Sequence, residues 1–150
     1  MVLAAIDSTG YKIVLILHIV AVIVGFGGLF LVPMLRRTDG SQASVAGVVL
    51  AFVQRVAVPA VAVAGILGFA LIGISKTGDI EVFKFSQRWV GIAILLWIIE
   101  LAVLWFGVGA TEKKVAAGDE AAAARRPMFT GISHLLLLVL VYLMVFKPGL

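Results

Sequence analysis

The sequence predicts an all-α fold, an integral membrane four-helix bundle with both termini on the same, outer side. Three observations predict it. Of 150 residues, 63% are hydrophobic and 13% charged, whereas a soluble domain is closer to half and a quarter. The apolar residues gather in four blocks: Lys12 to Leu35, Val45 to Ile74, Val90 to Gly109 and His134 to Phe146. Each block, the last with its less apolar start from Met128 to Ser133, reaches the roughly 20 residues that a hydrocarbon core demands at ~1.5 Å per residue. The spans are placed at about 12–35, 56–74, 88–109 and 128–147, in a single domain.

The first span is not read as a cleaved signal, because MVLAAIDSTGYK lacks a basic start and the apolar run is too long. Its GFGG stretch, Gly25 to Gly28, follows no strand, so a nucleotide loop is excluded. The second block, Ala43 to Ile74, is 32 residues, about 48 Å if fully helical. Gln54 and Arg55 interrupt it. Two readings stay open: an interfacial helix over 43–54 followed by a span, or one tilted helix projecting from the membrane. In both, Arg55 snorkels to the inner interface, and Pro59 sits near the first turn, where its missing N–H costs little. Small residues recur every four positions, Ala43, Gly47, Ala51 and Ala60, Ala64, Gly68, a pattern that lets helix backbones approach closely in lipid. Trp89 and Trp105 are read as an aromatic belt around the third span. The alanine-rich TEKKVAAGDEAAAARRP segment reads as a helical extension that stops at Pro127.

The net charge is +4. Arg36, Arg37, Arg55, Lys113, Lys114, Arg125 and Arg126 fall on one side, and Lys12, Lys76, Lys84, Arg88 and Lys147 on the other. That bias places loops one and three in the cytoplasm. The basic residues sit at membrane edges, where anionic headgroups account for them, and no basic and aromatic patch tracks a phosphate backbone; nucleic acid is not expected as a partner. Cysteine is absent, which excludes disulfides, thiolate ligation and a cysteine nucleophile.

Polar groups inside the spans are costly and therefore informative. Counting ~1.5 Å per residue from the span ends puts His18 and Tyr142 about 8–9 Å below the outer surface. The same count puts Glu100 and His134 about 10–12 Å from the inner one. At these depths His18 and Tyr142 can meet, and Glu100 and His134 can form a buried pair or proton relay; the alternative for Glu100 is a protonated carboxyl donating to a backbone carbonyl. A single metal held by both histidines is disfavoured. If a haem is present, His18 is the better metal ligand, its helical face continuing through Ala21, Val22, Gly25 and Gly28 or Leu29 as a trough of small side chains. The alternative is that His18 hydrogen-bonds Tyr142 or a backbone carbonyl while the glycines pack a neighbouring helix. Arg88, at the outer edge, is an interface anchor or a partner for haem propionates.

The stretch HIVAVIVGFGGLFLVPML resembles the first span of the HemJ-type protoporphyrinogen oxidases, through His18, Gly28, Leu29, Phe30, Pro33 and Leu35. Gln54–Arg55 with Pro59 and Gly68 resembles that family's second span, and VFKPG its ending. The chain is also similar to the wider group of HemJ- and CopD-like small four-helix bacterial membrane proteins. The resemblance implies a b-type haem ligated through His18. Arg88 stands where the oxidases carry a lysine, Glu100 near their third-span histidine, and Gly131 to His134 in place of an E-V-P motif. Arginine does not release a proton, so the oxidase activity is not carried over. The leading expectation is a haem b protein of a bacterial-type cytoplasmic membrane, linked to electron transfer or haem metabolism. The rival is a cofactor-free accessory subunit, packed on other membrane subunits or on copies of itself; a minor proton pathway through Glu100 and His134 comes third.

Overall fold

A computed structural model describes residues 8–35, 41–77 and 80–149. Four helices are long and apolar enough to cross a membrane: α1 (Thr9–Leu35), α2 (Gln42–Gly73), α3 (Arg88–Ala116) and α4 (Glu120–Phe146). Only 22–28% of the most apolar window of each is buried inside the bundle. Ile16, Ile23, Ile66, Leu95 and Leu138 point outward, a surface compatible with lipid contact and costly in water. The charge tally's Arg36 and Arg37 lie outside the described residues.

Local chemistry sets the helix ends. The Ser8 hydroxyl accepts from the Tyr11 N–H at 3.2 Å, and Ser41 caps α2 through the Ser44 N–H. Asp119 caps α4 through the Ala122 N–H at 3.0 Å. Each takes up a donor that a helix start leaves without an intrahelical partner. Between α2 and α3 a hairpin forms from β1 (Lys76–Thr77) and β2 (Ile80–Glu81), with Lys76 opposite Glu81. Ser75, fully buried, fastens it by donating to the Ile72 carbonyl at 2.7 Å and accepting from the Phe83 N–H at 3.0 Å.

Gln42–Gly73 runs as one helix, widened to a π turn over Val53–Ala57. The Val58 N–H reaches back five residues to the Val53 carbonyl. Pro59 has no N–H to offer the Arg55 carbonyl, and a widened turn just before a proline absorbs the mismatch. A second π turn, Val103–Gly109, lies in α3 and packs against the first. Around the two sits the main core: Phe26, Leu29 and Val32 of α1, Val53 and Val61 of α2, Leu104 and Val108 of α3. At the other end of the bundle, Trp89, Val90 and Ala93 of α3 pack on Leu143 of α4.

Three expectations are corrected here. The chain reverses at Ala117–Asp119, where Gly118 adopts φ +92°, a conformation that favours glycine; the extension does not stop at Pro127. Pro127 lies inside α4, because contacts on either side of it hold the helix together. Trp89 is not a belt residue: it is buried, edge-on to Phe83 at 5.8 Å, with its indole N–H donated to Gln87 Oε1. Arg126 is not at a solvated edge. It is 3% exposed and Glu112 1%, joined by a fork of hydrogen bonds from Nε and Nη2. Nη1 donates to Gln42 at 3.1 Å, tying α2 to the pair.

Breaking a buried pair leaves an uncompensated charge, a loss of about 3–5 kcal/mol. Glu112→Gln should therefore lower the detergent-solubilised melting temperature sharply, while Glu112→Leu combined with Arg126→Met should recover most of it. Equal melting temperatures for single and double variants would contradict the pairing.

Candidate functional site: an apolar cavity beside His18

A cavity of about 470 Å³ lies between all four helices, toward the end where α1 begins and α4 finishes. Its walls are aliphatic and aromatic. The polar groups in the lining are few: His18 and Tyr11 from α1, the indoles of Trp89 and Trp97 from α3, and Lys147 just past α4. Lys147 adopts φ 43° at the α4 terminus, and its Nζ lies 5.0 Å from the Phe83 ring centre, a cation–π contact at the mouth.

His18 is oriented by a backbone oxygen. Its Nδ1 lies 2.8 Å from the Ala64 carbonyl. A carbonyl only accepts, so Nδ1 carries the hydrogen, and in the neutral ring the lone pair falls on Nε2. The same device recurs one turn earlier on α2, where Trp97 Nε1 donates to the Val61 carbonyl at 2.8 Å. Both carbonyls are already used within the helix, and each gains a second donor through its free lone pair. In an α-helix the residue four positions on overhangs each carbonyl. Here those residues are Gly65 and Gly68. A Cβ at Gly65 would fall inside the Trp97 ring, and one at Gly68 would sit 3.6 Å from His18 Cε1. The two glycines open the carbonyl face of α2 to two aromatic donors.

The other expected site residues are distributed differently. Gly25 and Gly28 do not line the cavity; they admit α2. A Cβ on Gly25 would come within 2.8 Å of Val61 Cγ2, and one on Gly28 would enter the Phe52 ring. The small residues beside the imidazole come instead from α2, as Ala64 and Gly68. Tyr142 does not meet His18: it is 51% exposed and stacks on Phe146 at 4.8 Å. Depth along the helix is right for the meeting, but Tyr142 is on the wrong side of α4, whose Leu140, Val141, Met144 and Val145 face the cavity. Arg88 opens α3 on the exposed surface and lies outside the lining; Lys147 supplies the charge there. Trp97, Tyr11 and Lys147 were not anticipated. An i, i+3 pair of glycines in an apolar helix was the one available signal for the aromatic donors.

Glu100 is fully buried and accepts from the Ser133 hydroxyl at 2.5 Å, not from His134. His134 lies flat on Phe30, ring centres 4.3 Å apart and planes 4° from parallel, with a hydrogen bond to the Leu29 backbone. Phe30 is twelve residues beyond His18 on α1, about 18 Å along the helix. The two histidines therefore do not share a site. Glu100 Oε2 and His134 Nε2 are both buried without a hydrogen-bond partner.

Among the described residues, no three His, Cys, Asp or Glu side chains converge as a metal site. Searches against protein-family models, curated proteins and solved structures find no match to this chain. The geometry is that of a four-helix protein whose helices are long and apolar enough to cross a membrane, with an apolar cavity and one oriented imidazole.

The glycine geometry predicts unequal effects. Gly65→Ala should displace Trp97 and cost about 1–3 kcal/mol of stability, whereas Gly68→Ala meets only ordinary contact and should be near neutral. Thermal unfolding followed by Trp fluorescence measures both; equal losses would contradict the open-carbonyl account.

Proposed function

We propose that this protein is a haem b-binding protein of a bacterial-type cytoplasmic membrane, serving electron transfer or haem metabolism. His18 would hold the haem iron through Nε2; in this reading loops one and three face the cytoplasm and both termini lie outside. One observation carries the reading: a single imidazole, its Nδ1–H fixed on the Ala64 carbonyl, lining a 470 Å³ apolar cavity. Cofactor pockets typically span about 300–1,000 Å³ and are mostly apolar with few placed polar groups.

The donor set fits this group. A bare divalent ion needs several protein ligands, and the cavity lining contains only one histidine and no carboxylate. A macrocycle that brings four nitrogens of its own needs one. When bound, haem supplies one-electron chemistry. The chain's residues hold and tune it. The Ala64 carbonyl fixes the His18 tautomer and leaves the Nε2 lone pair facing the cavity. The walls from Val22, Phe69 and Trp97 exclude water and keep the dielectric low. Lys147 and Tyr11 offer a cation and a phenol for propionates.

A second reading is favoured by one observation. Ala43, Gly47 and Ala51 are all exposed on α2, whereas Ala64 and Gly68 are consumed by α1. An exposed small-residue face suits close packing on another membrane subunit or a second copy, and fits a cofactor-free accessory role.

Visible absorption separates the two. Protein purified with haem supplied should show a Soret band and a shifted α-band on reduction. His18→Ala should abolish the bands while retaining helical circular dichroism; Arg88→Ala should keep them. A colourless preparation, or bands indifferent to His18→Ala, would sink the haem reading.

A further inference from the structure

A second cleft, about 430 Å³, opens at the opposite end of the bundle, between the C-terminal half of α3 and the N-terminal half of α4. Its chemistry is graded. Lys114 and Arg125 stand at the rim, exposed. Phe106 and Phe129 line the same cleft deeper along the helices. Phe106 is eight residues from Lys114 and Phe129 four from Arg125, about 12 and 6 Å along their helices. Both walls thus pass from a cation to an aromatic ring in the same direction. Phe106 is 74% exposed, so the apolar part of the cleft continues onto the outer surface of the bundle.

The charges in this cleft are available. Arg126, next in sequence, is consumed by Glu112. Among the described residues neither Lys114 nor Arg125 has an ion-pair partner. Asp119 also lines the cleft, its Oδ1 accepting from the Ala122 N–H, so two cations stand against one carboxylate. The net field at the rim is positive above an apolar floor. A soluble phosphate would use the rim and leave two rings idle; a fatty acyl chain alone would use the floor and leave two cations idle.

We propose that this cleft binds an anionic phospholipid, with its phosphate between Lys114 and Arg125 and an acyl chain along Phe106 and Phe129. Basic pockets between membrane helices at the headgroup level bind such lipids. The site is separate from the His18 cavity and is indifferent to whether haem is bound there; it rests only on the helices standing in a bilayer.

Native mass spectrometry of the full chain, released from detergent, tests it with three probes: phosphatidylglycerol, phosphatidylcholine with the same acyl chains, and inorganic phosphate. One phosphatidylglycerol should be retained on the order of tenfold better than phosphatidylcholine. Lys114→Gln with Arg125→Gln should erase that preference. Lys76→Gln with Lys84→Gln, at the other end of the bundle, should leave it intact and controls for total charge. Equal retention of the two lipids, or a preference that survives the Lys114/Arg125 double variant, would overturn the proposal. Displacement of the lipid by millimolar inorganic phosphate would also overturn it, in favour of a soluble phosphate ligand. Both altered side chains are exposed, so the double variant should melt within a few degrees of wild type without added lipid; a collapse in melting temperature would mean these residues are structural and would count against the site.

Discussion

Hydrocarbon offers no hydrogen bonds, so a polar side chain placed there must find its partner on another helix or on backbone already in use. In this bundle the partners are two carbonyls of α2, at Val61 and Ala64, which receive Trp97 and His18. Much else is arranged around those two bonds. They draw α3 and α1 against the same stretch of α2, and Gly65 and Gly68 make room for the rings. Gly25 lets α1 close on Val61 just beyond. The cavity lies against these same residues, lined by His18, Ala64, Gly68 and Trp97.

The other end of the bundle is built on a different principle. There the Arg126–Glu112–Gln42 cluster joins three helices through charge-assisted bonds. Ala46, Val115 and Ala122 pack beside it. Small side chains permit the close approach, and the fork geometry of the guanidinium fixes its direction. The two π turns lie between these regimes. They shift the register of α2 and α3 where the apolar core meets the polar cluster, and Pro59 gives the first of them its cause. The molecule therefore has an apolar, hollow half and a polar, stapled half, each with its own cleft.

Hydropathy made the four helices legible, because length and composition are properties of a segment taken alone. What it left out is azimuth. Counting residues gave Tyr142 the right depth to meet His18, yet Tyr142 faces outward while its neighbours Val141 and Met144 face the cavity. The same limit affected Gly25 and Gly28, which share a strip of α1 with His18 but meet Val61 and Phe52 of α2. Pairing across helices was the other blind spot. Glu112 and Arg126 read as ordinary edge charges, and only the tight turn at Gly118 sets their helices face to face. Glu100 was correctly singled out as a costly group, but its bond is to Ser133, a hydroxyl too common in spans to attract notice. His18 itself needed no structure to be noticed; the carbonyl that orients it did.

The account depends most directly on the protonation of one ring nitrogen. Nitrogen-15 NMR of histidine-labelled protein in lipid distinguishes the two imidazole tautomers, with His134→Gln assigning the signals. The structure predicts that His18 is fixed as the Nδ1–H tautomer, its Nε2 unprotonated and perturbed when a haem analogue is added. A neutral His18 ring with its proton on Nε2 and none on Nδ1, or one averaging freely between tautomers, would contradict the bond to Ala64 and with it the ligand role assigned to His18.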